Sequence, residues 1–336
     1  MTKTLKCLVC ISIAMILLGA ASVILYGSYI NAPAGDPLRT MVLNIPKGVS
    51  FSWIAGQLEE AGLVRDRRIF IAFACLRRAT VHVKAGEYEL SGRLSPAQIL
   101  DKMVRGEVRE YLLSFPEGFT LRQVARRLAD EGLVSETAFL AAASDAGFLG
   151  SLKIEGDRAE GYLFPETYRF TRLMDEKQII RMMVQEFRRR FTPVHEARAA
   201  ELGMSIRDIV TLASIVEKEG GPVREKSLIA AVFYNRLKKG MRLESDPTVI
   251  YGIENFNGNL TREHLRQKTP YNTYVIRSLP PGPICNPGLD ALMAALYPAD
   301  VKFLFFVARN DGTHCFSADL ESHQKAIVTY QIKKEK

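Results

Sequence analysis

Metal-ligand spacing is missing from this chain. Its five histidines, His82, His195, His264, His314 and His323, never stand as H-x-x-x-H or H-E-x-x-H, so no metal site is expected. No Gly-x-x-x-x-Gly-Lys-Ser/Thr loop occurs, and Ser214 in Ala213-Ser214-Ile215 lacks the G-x-S-x-G elbow. Nucleotide and serine-hydrolase chemistry are thereby set aside, and no cofactor is called for. Cysteine is scarce: of five, only Cys75, Cys285 and Cys315 lie outside an N-terminal apolar run, which implies no disulfide framework. Cys7 and Cys10 spell C-x-x-C inside that run, with no βαβ pattern around them, and read as small apolar residues of a helix. A concentrated basic arm is missing too. The net charge is +8, but residues such as Arg188, Arg189 and Arg190 are spread along helices, so nucleic acid is not the expected partner. A carboxylate-bearing polymer or an anionic lipid surface suits the same charge.

What is present is ordinary globular composition, 336 residues with 47% hydrophobic and 24% charged, enough for two or three compact domains. From Cys7 to Ile30 no charged residue occurs. As a helix this stretch spans roughly 36 Å, more than the ~30 Å hydrocarbon core of a bilayer. Lys3 and Lys6 precede it and Asn31-Ala-Pro-Ala-Gly-Asp36 follows nearly uncharged, so residues 1–6 are expected in the cytoplasm, 7–30 across the membrane and the rest outside. A cleaved signal peptide competes, with Ala20-Ala21-Ser22 as small residues. The apolar run, however, continues past them through Val23-Ile24-Leu25-Tyr26, which favours a retained anchor in the cytoplasmic (inner) membrane.

Residues 31–40, with two prolines and a glycine, read as a linker. A weak repeat follows at an offset of 70: Ile45-Pro-Lys-Gly48 with Ile54-Ala55, Leu58, Leu63-Val64 and Ile69-Phe70 against Phe115-Pro-Glu-Gly118 with Val124-Ala125, Leu128, Leu133-Val134 and Phe139-Leu140. Two β-then-helix units are expected, capped by Ser50 and Thr120. Lys84 to Leu90 reads as a strand, and Ser95-Pro96 opens another helix through Met103. From Glu160 the chain turns to aromatic-rich turns, long helices, a Pro/Gly-rich loop and a hairpin, Phe303 to Ala308 and Thr313 to Ser317 around Asn310-Asp311-Gly312. The fold class is α+β.

Ser205 to Glu219 reads as a helix with Ser205 as cap and Gly220-Gly221-Pro222 as its end. At about 100° per residue, Val210, Ala213 and Glu217 fall within about 40° of Ile206, so Glu217 shares the apolar stripe. Lys218 and Glu219 are expected on the polar side. A carboxylate among apolar neighbours near the negative end of a helix dipole should hold its proton, as a general acid must. The competing reading is a structural carboxylate paired with an arginine such as Arg224 or Arg236.

Thr211-Leu-Ala-Ser-Ile-Val-Glu-Lys-Glu219, then Val232-Phe-Tyr-Asn-Arg-Leu237, Gly240-Met-Arg-Leu243, Ser245-Asp-Pro-Thr-Val-Ile-Tyr-Gly252, Tyr271-Asn-Thr-Tyr274 and Leu279-Pro-Pro-Gly-Pro283 form an ordered series. This series resembles the YceG-like family of endolytic murein transglycosylases, and the resemblance covers essentially the whole chain. It implies a LysM-like α+β module over 41–108, a connecting α+β segment over 109–155 and a YceG-like α+β catalytic domain over 156–334. It further implies cleavage of the MurNAc-β-1,4-GlcNAc bond of nascent glycan strands without water, leaving 1,6-anhydro ends, with Glu217 as the catalytic acid/base. Peptidoglycan strands are the implied substrate and peptidoglycan synthases the implied neighbours.

Further polar residues are candidates for substrate contact. Glu166 in Gly161-Tyr-Leu-Phe-Pro-Glu-Thr-Tyr168 is a candidate second carboxylate or a turn residue, and Tyr168 could line the cleft. Asp246 before Pro247 is either a helix cap or a sugar contact, and Asn286-Pro287 reads as a cap before the helix that begins at Leu289. Tyr271, Asn272 and Tyr274 offer hydrogen bonds and aromatic faces for a sugar, or fill a core. A non-catalytic, membrane-tethered glycan-binding or scaffold protein stays open on the residues alone.

Overall fold

The computed structural model describes residues 3–332. The outermost residues of the expected cytoplasmic N-terminus, 1–2, and of the expected catalytic domain, 333–334, lie outside that range, as do the side chains of Lys3, Lys6 and Cys7. The chain is mixed α+β and divides into two units, residues 1–111 with 171–173, and residues 112–170 with 174–336.

The first unit begins with helix α1 (Lys3–Asn31), whose stretch Cys10–Asn31 is long and apolar enough to cross a membrane. Side chains along it such as Leu17, Leu18, Ile24 and Leu25 stand exposed, as a lipid-facing surface would. Its last turn behaves otherwise. Ile30 is buried in the core of this unit, Tyr26 and Tyr29 pack against the same core, and the Tyr29 hydroxyl donates to the Asp66 carbonyl at 2.6 Å.

Strand β1 (Thr40–Ile45) leads through a turn at Gly48 into α2 (Phe51–Glu60) and α3 (Arg67–Leu76); β2 (Gly86–Ser91) returns antiparallel to β1, and α4 (Pro96–Arg105) closes the unit. In the register Ile45 faces Gly86 and Thr40 faces Ser91. The expected caps form. The Ser50 side chain accepts from Trp53 N–H, and Ser95 makes a capping box with Gln98.

In the second unit the repeat recurs as structure. Strand β3 (Tyr111–Ser114) is followed by α5 (Leu121–Asp130), α6 (Glu136–Ala142) and α7 (Ala146–Ser151), and β4 (Thr167–Phe170) returns to pair with β3. The matched glycines share a left-handed backbone, Gly48 with Gly118 and Gly62 with Gly132, where a Cβ would be strained. Leu63 N–H donates to the Leu58 carbonyl as Leu133 N–H does to Leu128, so both helices end in the same way.

The rest of this unit is helical. Helices α8 (Glu176–Arg190) and α9 (Pro193–Glu201) precede α10 (Ile206–Glu219) and α11 (Val223–Lys238), followed by the short α12 (Asp246–Tyr251) and α13 (Arg262–Arg266), then α14 (Leu289–Leu296). The hairpin forms with shorter strands than the sequence suggests, β5 (Phe305–Ala308) and β6 (His314–Ser317), before α15 (Leu320–Ile327). Ser205 caps α10 with Asp208 in a capping box, and Gly220 ends it with positive φ.

Helix α10 packs against α14 and α11, and every residue from Ile209 to Val216 is buried. Over that stretch the helix has no solvent face, whereas Lys218 in its last turn is exposed, as expected. The expectation for Glu219 is corrected: its side chain is turned to accept from the Ser245 hydroxyl.

Candidate active site

The enclosed helix α10 brings Glu217 to its last turn, with the side chain 10% exposed. Its carboxylate is surrounded by donors rather than by hydrocarbon. Lys226, one turn into α11, lies 3.0 Å from Oε1 and 3.1 Å from Oε2, and the Gly288 N–H donates to Oε2 at 3.0 Å. The pairing cation is therefore a lysine, not the Arg224 or Arg236 considered from the sequence. Arg236 points elsewhere, donating to the Leu304 and Leu243 carbonyls and pairing with Glu244. With the Lys226 ammonium and the Gly288 N–H against it, the environment is not the apolar pocket the helical wheel suggests.

A second carboxylate stands across the same lysine. Glu117, in the turn Pro116-Glu117-Gly118, lies 3.6 Å from the Lys226 ammonium and is 48% exposed, whereas Lys226 is 7% exposed. Burial, followed by the nearby negative charge of Glu217, raises the pKa of Glu117, while Lys226 opposes the rise.

Asn286 holds the two loops of the site together. Its Nδ2 donates to the Phe119 carbonyl at 2.9 Å, its Oδ1 accepts from the N–H groups of Gly161 and Leu163, and its carbonyl accepts from Gly118 N–H. It is buried with both ends of its amide engaged, so it latches the Glu117 turn to the Gly288 loop. The sequence reading of Asn286 as a cap is corrected: Gly288 occupies the cap of α14.

Two buried acids flank this centre. Glu160 accepts from Leu121 N–H and from the Tyr251 hydroxyl, and burial pushes its pKa to about 7. Glu219 is likewise pushed to about 7 by burial, partly offset by its hydrogen bond from Ser245.

The other residues singled out in the sequence are dispersed. Glu166 pairs with Arg190 at 3.0 Å and accepts from Thr167 N–H. Tyr168 is buried among Phe115 and Phe170 with its hydroxyl donating to the Phe164 carbonyl. Asn272 is fully buried, and its amide donates to the carbonyls of His264, Leu265 and Gln267, which shapes the loop after α13. Asp246 accepts from the Tyr274 hydroxyl at 2.7 Å and lies beside Glu219, while Ser245 takes the cap position of α12 expected for Asp246. Tyr271 packs its ring on Tyr251 at 4.9 Å. Among the described residues no hydrogen bond or ion pair joins Glu217 to any of these six.

A cavity of about 650 Å³ lies along the first half of α10, near Met204, Asp208 and Thr211, away from the turn that carries Glu217. A second of about 520 Å³ is lined by Arg224, Glu225, Arg309 and His314, next to the start of α11.

The sequence profile of the YceG-like family matches residues 43–329. An endolytic murein transglycosylase of Bacillus subtilis (strain 168) is 32% identical over 326 residues, 91% of this chain and 89% of that protein. An endolytic murein transglycosylase of Streptococcus pneumoniae (strain D39) is 30% identical over 325 residues, 87% of this chain but 58% of the longer relative. A crystal structure of a yceG-like protein from Listeria monocytogenes superposes with a TM-score of 0.59 at 35% identity, covering 85% of this chain and 98% of that one. Matched across most of its length by profile, sequence and structure, the chain belongs to the YceG-like family.

Proposed function

We propose that this protein is an endolytic lytic transglycosylase of peptidoglycan that cleaves the MurNAc-β-1,4-GlcNAc bond of nascent strands and so limits their length. The observation that carries the reading is the carboxyl of Glu217, held in a fixed position by Lys226 and Gly288 N–H yet still reachable from solvent. The named activity of the Bacillus and Streptococcus relatives supports it.

In this mechanism Glu217 gives its proton to the glycosidic oxygen as the C1–O bond breaks and the bonding pair leaves with the GlcNAc oxygen. The carboxylate so formed takes the proton of the muramyl C6 hydroxyl while that oxygen bonds to C1, which closes the 1,6-anhydro ring and restores the acid. No water is consumed. Because the nucleophile is part of the substrate, the site needs no second carboxylate placed to activate water. Lys226 and the Gly288 N–H stabilise the anion that develops on Glu217 as the proton leaves, which is where preorganised charge lowers a barrier.

Asp246, Tyr271 and Tyr274 are the residues assigned to glycan contact. Glu166, Tyr168 and Asn272 are assigned to support, since their polar atoms are already engaged. Helix α1 is the single-pass anchor in the cytoplasmic membrane, with the body outside, near peptidoglycan synthases. The β-helix-helix-β module of residues 41–108 acts as a LysM-like glycan-binding element. The competing reading, a tethered glycan-binding scaffold, draws on the same Lys226 ion pair as a purely structural contact. Mass spectrometry of purified glycan strands treated with the protein tests the choice: transglycosylation gives fragments one water lighter than a hydrolase would, and a scaffold gives none.

A further inference from the structure

Three charged groups meet at the end of α10, and the proposed mechanism uses only two of them. Lys226 is almost wholly buried and stands between two carboxylates, close to both oxygens of Glu217 and 3.6 Å from Glu117. With all three ionised, the cluster carries one net negative charge, so it can take up one proton and become neutral. The other charges facing it are Lys218, whose ammonium reaches the Gly118 carbonyl, and Asp290 at the start of α14. Glu225, beside Lys226 on α11, is turned away to His314, and Glu219 is turned to Ser245.

The position of Glu117 is built rather than incidental. Gly118 adopts a positive φ that aims the turn, and Asn286 ties that turn to the loop carrying Gly288. The Glu117 carboxyl rests where a side chain on residue 288 would stand, so only glycine there admits it. The equivalent turn of the first repeat carries Lys47, exposed, at the matching position. A carboxylate over the lysine is thus particular to the second copy.

We propose that Glu117 is a positioning residue which divides the charge of Lys226, and so sets the pH range over which Glu217 carries the reacting proton. This inference rests on the assignment of Glu217 as the acid. The negative charge of Glu117 disfavours a second negative charge on its neighbour, and the pair therefore binds its first proton more readily than either carboxyl would alone beside the same lysine. The negative charge of Glu217, second to burial among the causes that raise the pKa of Glu117, is the reciprocal side of that coupling.

The test is the pH dependence of 1,6-anhydro product release by the full-length protein in detergent. Glu117→Gln removes one charge and leaves Lys226 to Glu217 alone, so the alkaline limb of the profile should move about one pH unit lower. Above that limb the rate should fall about tenfold, with recovery on acidification. Glu117→Asp should keep the limb near its original place. Gly288→Ala, whose methyl displaces the Glu117 carboxyl without straining a backbone at φ −75°, should move the limb in the same direction as Gln. An unmoved limb in Glu117→Gln, or a loss equal at every pH, overturns the proposal. If that variant does not fold, Gly288→Ala compared with Glu117→Asp decides in the same way. Should Glu217→Gln still release anhydro products, the assignment of the acid fails instead, whatever Glu117 does.

Discussion

Lys226 on α11 holds both carboxylate oxygens of Glu217 on α10, at 3.0 and 3.1 Å, with the lysine almost fully withdrawn from water. A buried ammonium at this distance prepares the site for the anion left when the proton departs. The position of the pair comes from packing: α10 is enclosed by α11 and α14, so its last turn cannot shift without disturbing the core.

Lys226→Met should therefore separate stability from chemistry. The near-isosteric apolar chain leaves Glu217 without its cation, which should cost about 3 kcal/mol in unfolding free energy when Glu217 is ionised. Maximal turnover should fall, and the alkaline limb of the pH profile should move to higher pH, because loss of the cation favours the protonated acid. Denaturant unfolding and pH–rate measurements check both. A limb displaced to lower pH would contradict the role given to Lys226.

The helical spacing that located Glu217 also contains Lys226, which shares a buried stripe of α11 with Ile229 and Phe233 three and seven residues on. A lysine on such a stripe is as strong a signal as a glutamate, and pairing the two required only asking which cation could lie opposite. Glu117 was legible too, through the repeat: the two Pro-x-Gly turns differ in their middle residue, Lys47 in one and Glu117 in the other. The Ser50 and Thr120 caps, the terminal hairpin and the β-then-helix repeat follow from local rules and form much as expected, whereas the caps of α12 and α14 fall on Ser245 and Gly288. Glu219 was misplaced because a wheel assumes one wet face, and α10 has none between Ile209 and Val216. For Asn272 and Tyr168, residue type does not reveal where a side chain's partners lie. Their partners turn out to be nearby carbonyls.

Buried Glu219 and Glu160 should leave a mark on stability. Each has a carboxyl raised from the ordinary 4.5 to about 7, so between those values the folded state holds a proton that the unfolded state has lost. Stability is then full below about pH 4.5 and declines as pH rises through 7. Glu219→Gln keeps a partner for Ser245 and removes part of that decline, so the variant should gain about 1–3 kcal/mol at pH 8 relative to the parent and little at pH 5. Urea midpoints at the two pH values measure it. Parallel curves for the two proteins would rule out a raised Glu219.

Asn286→Ala should unlatch the site. Its side chain serves Phe119, Gly161 and Leu163; truncation leaves the buried N–H groups of Gly161 and Leu163 unpaired at a cost of about 2–4 kcal/mol, while the Phe119 carbonyl keeps the backbone N–H of residue 286. Turnover should drop further than the unfolded fraction explains, since the Glu117 turn and the Gly288 loop lose their common tie. Activity measured well below the variant's melting temperature distinguishes the two effects. Activity that tracks the folded fraction alone would reduce Asn286 to a core residue.

The central claim is that one carboxyl moves the proton, and Glu217→Gln addresses it with the least disturbance. The amide can keep the Gly288 N–H as a donor to its oxygen and preserves the shape of the side chain, but it has no proton to give and none to reclaim. Purified glycan strands incubated with this variant should yield 1,6-anhydro ends at a rate lowered by about 10²–10⁴, while its unfolding transition shows a folded protein. Anhydro ends released by the folded variant at the parent rate would contradict the account.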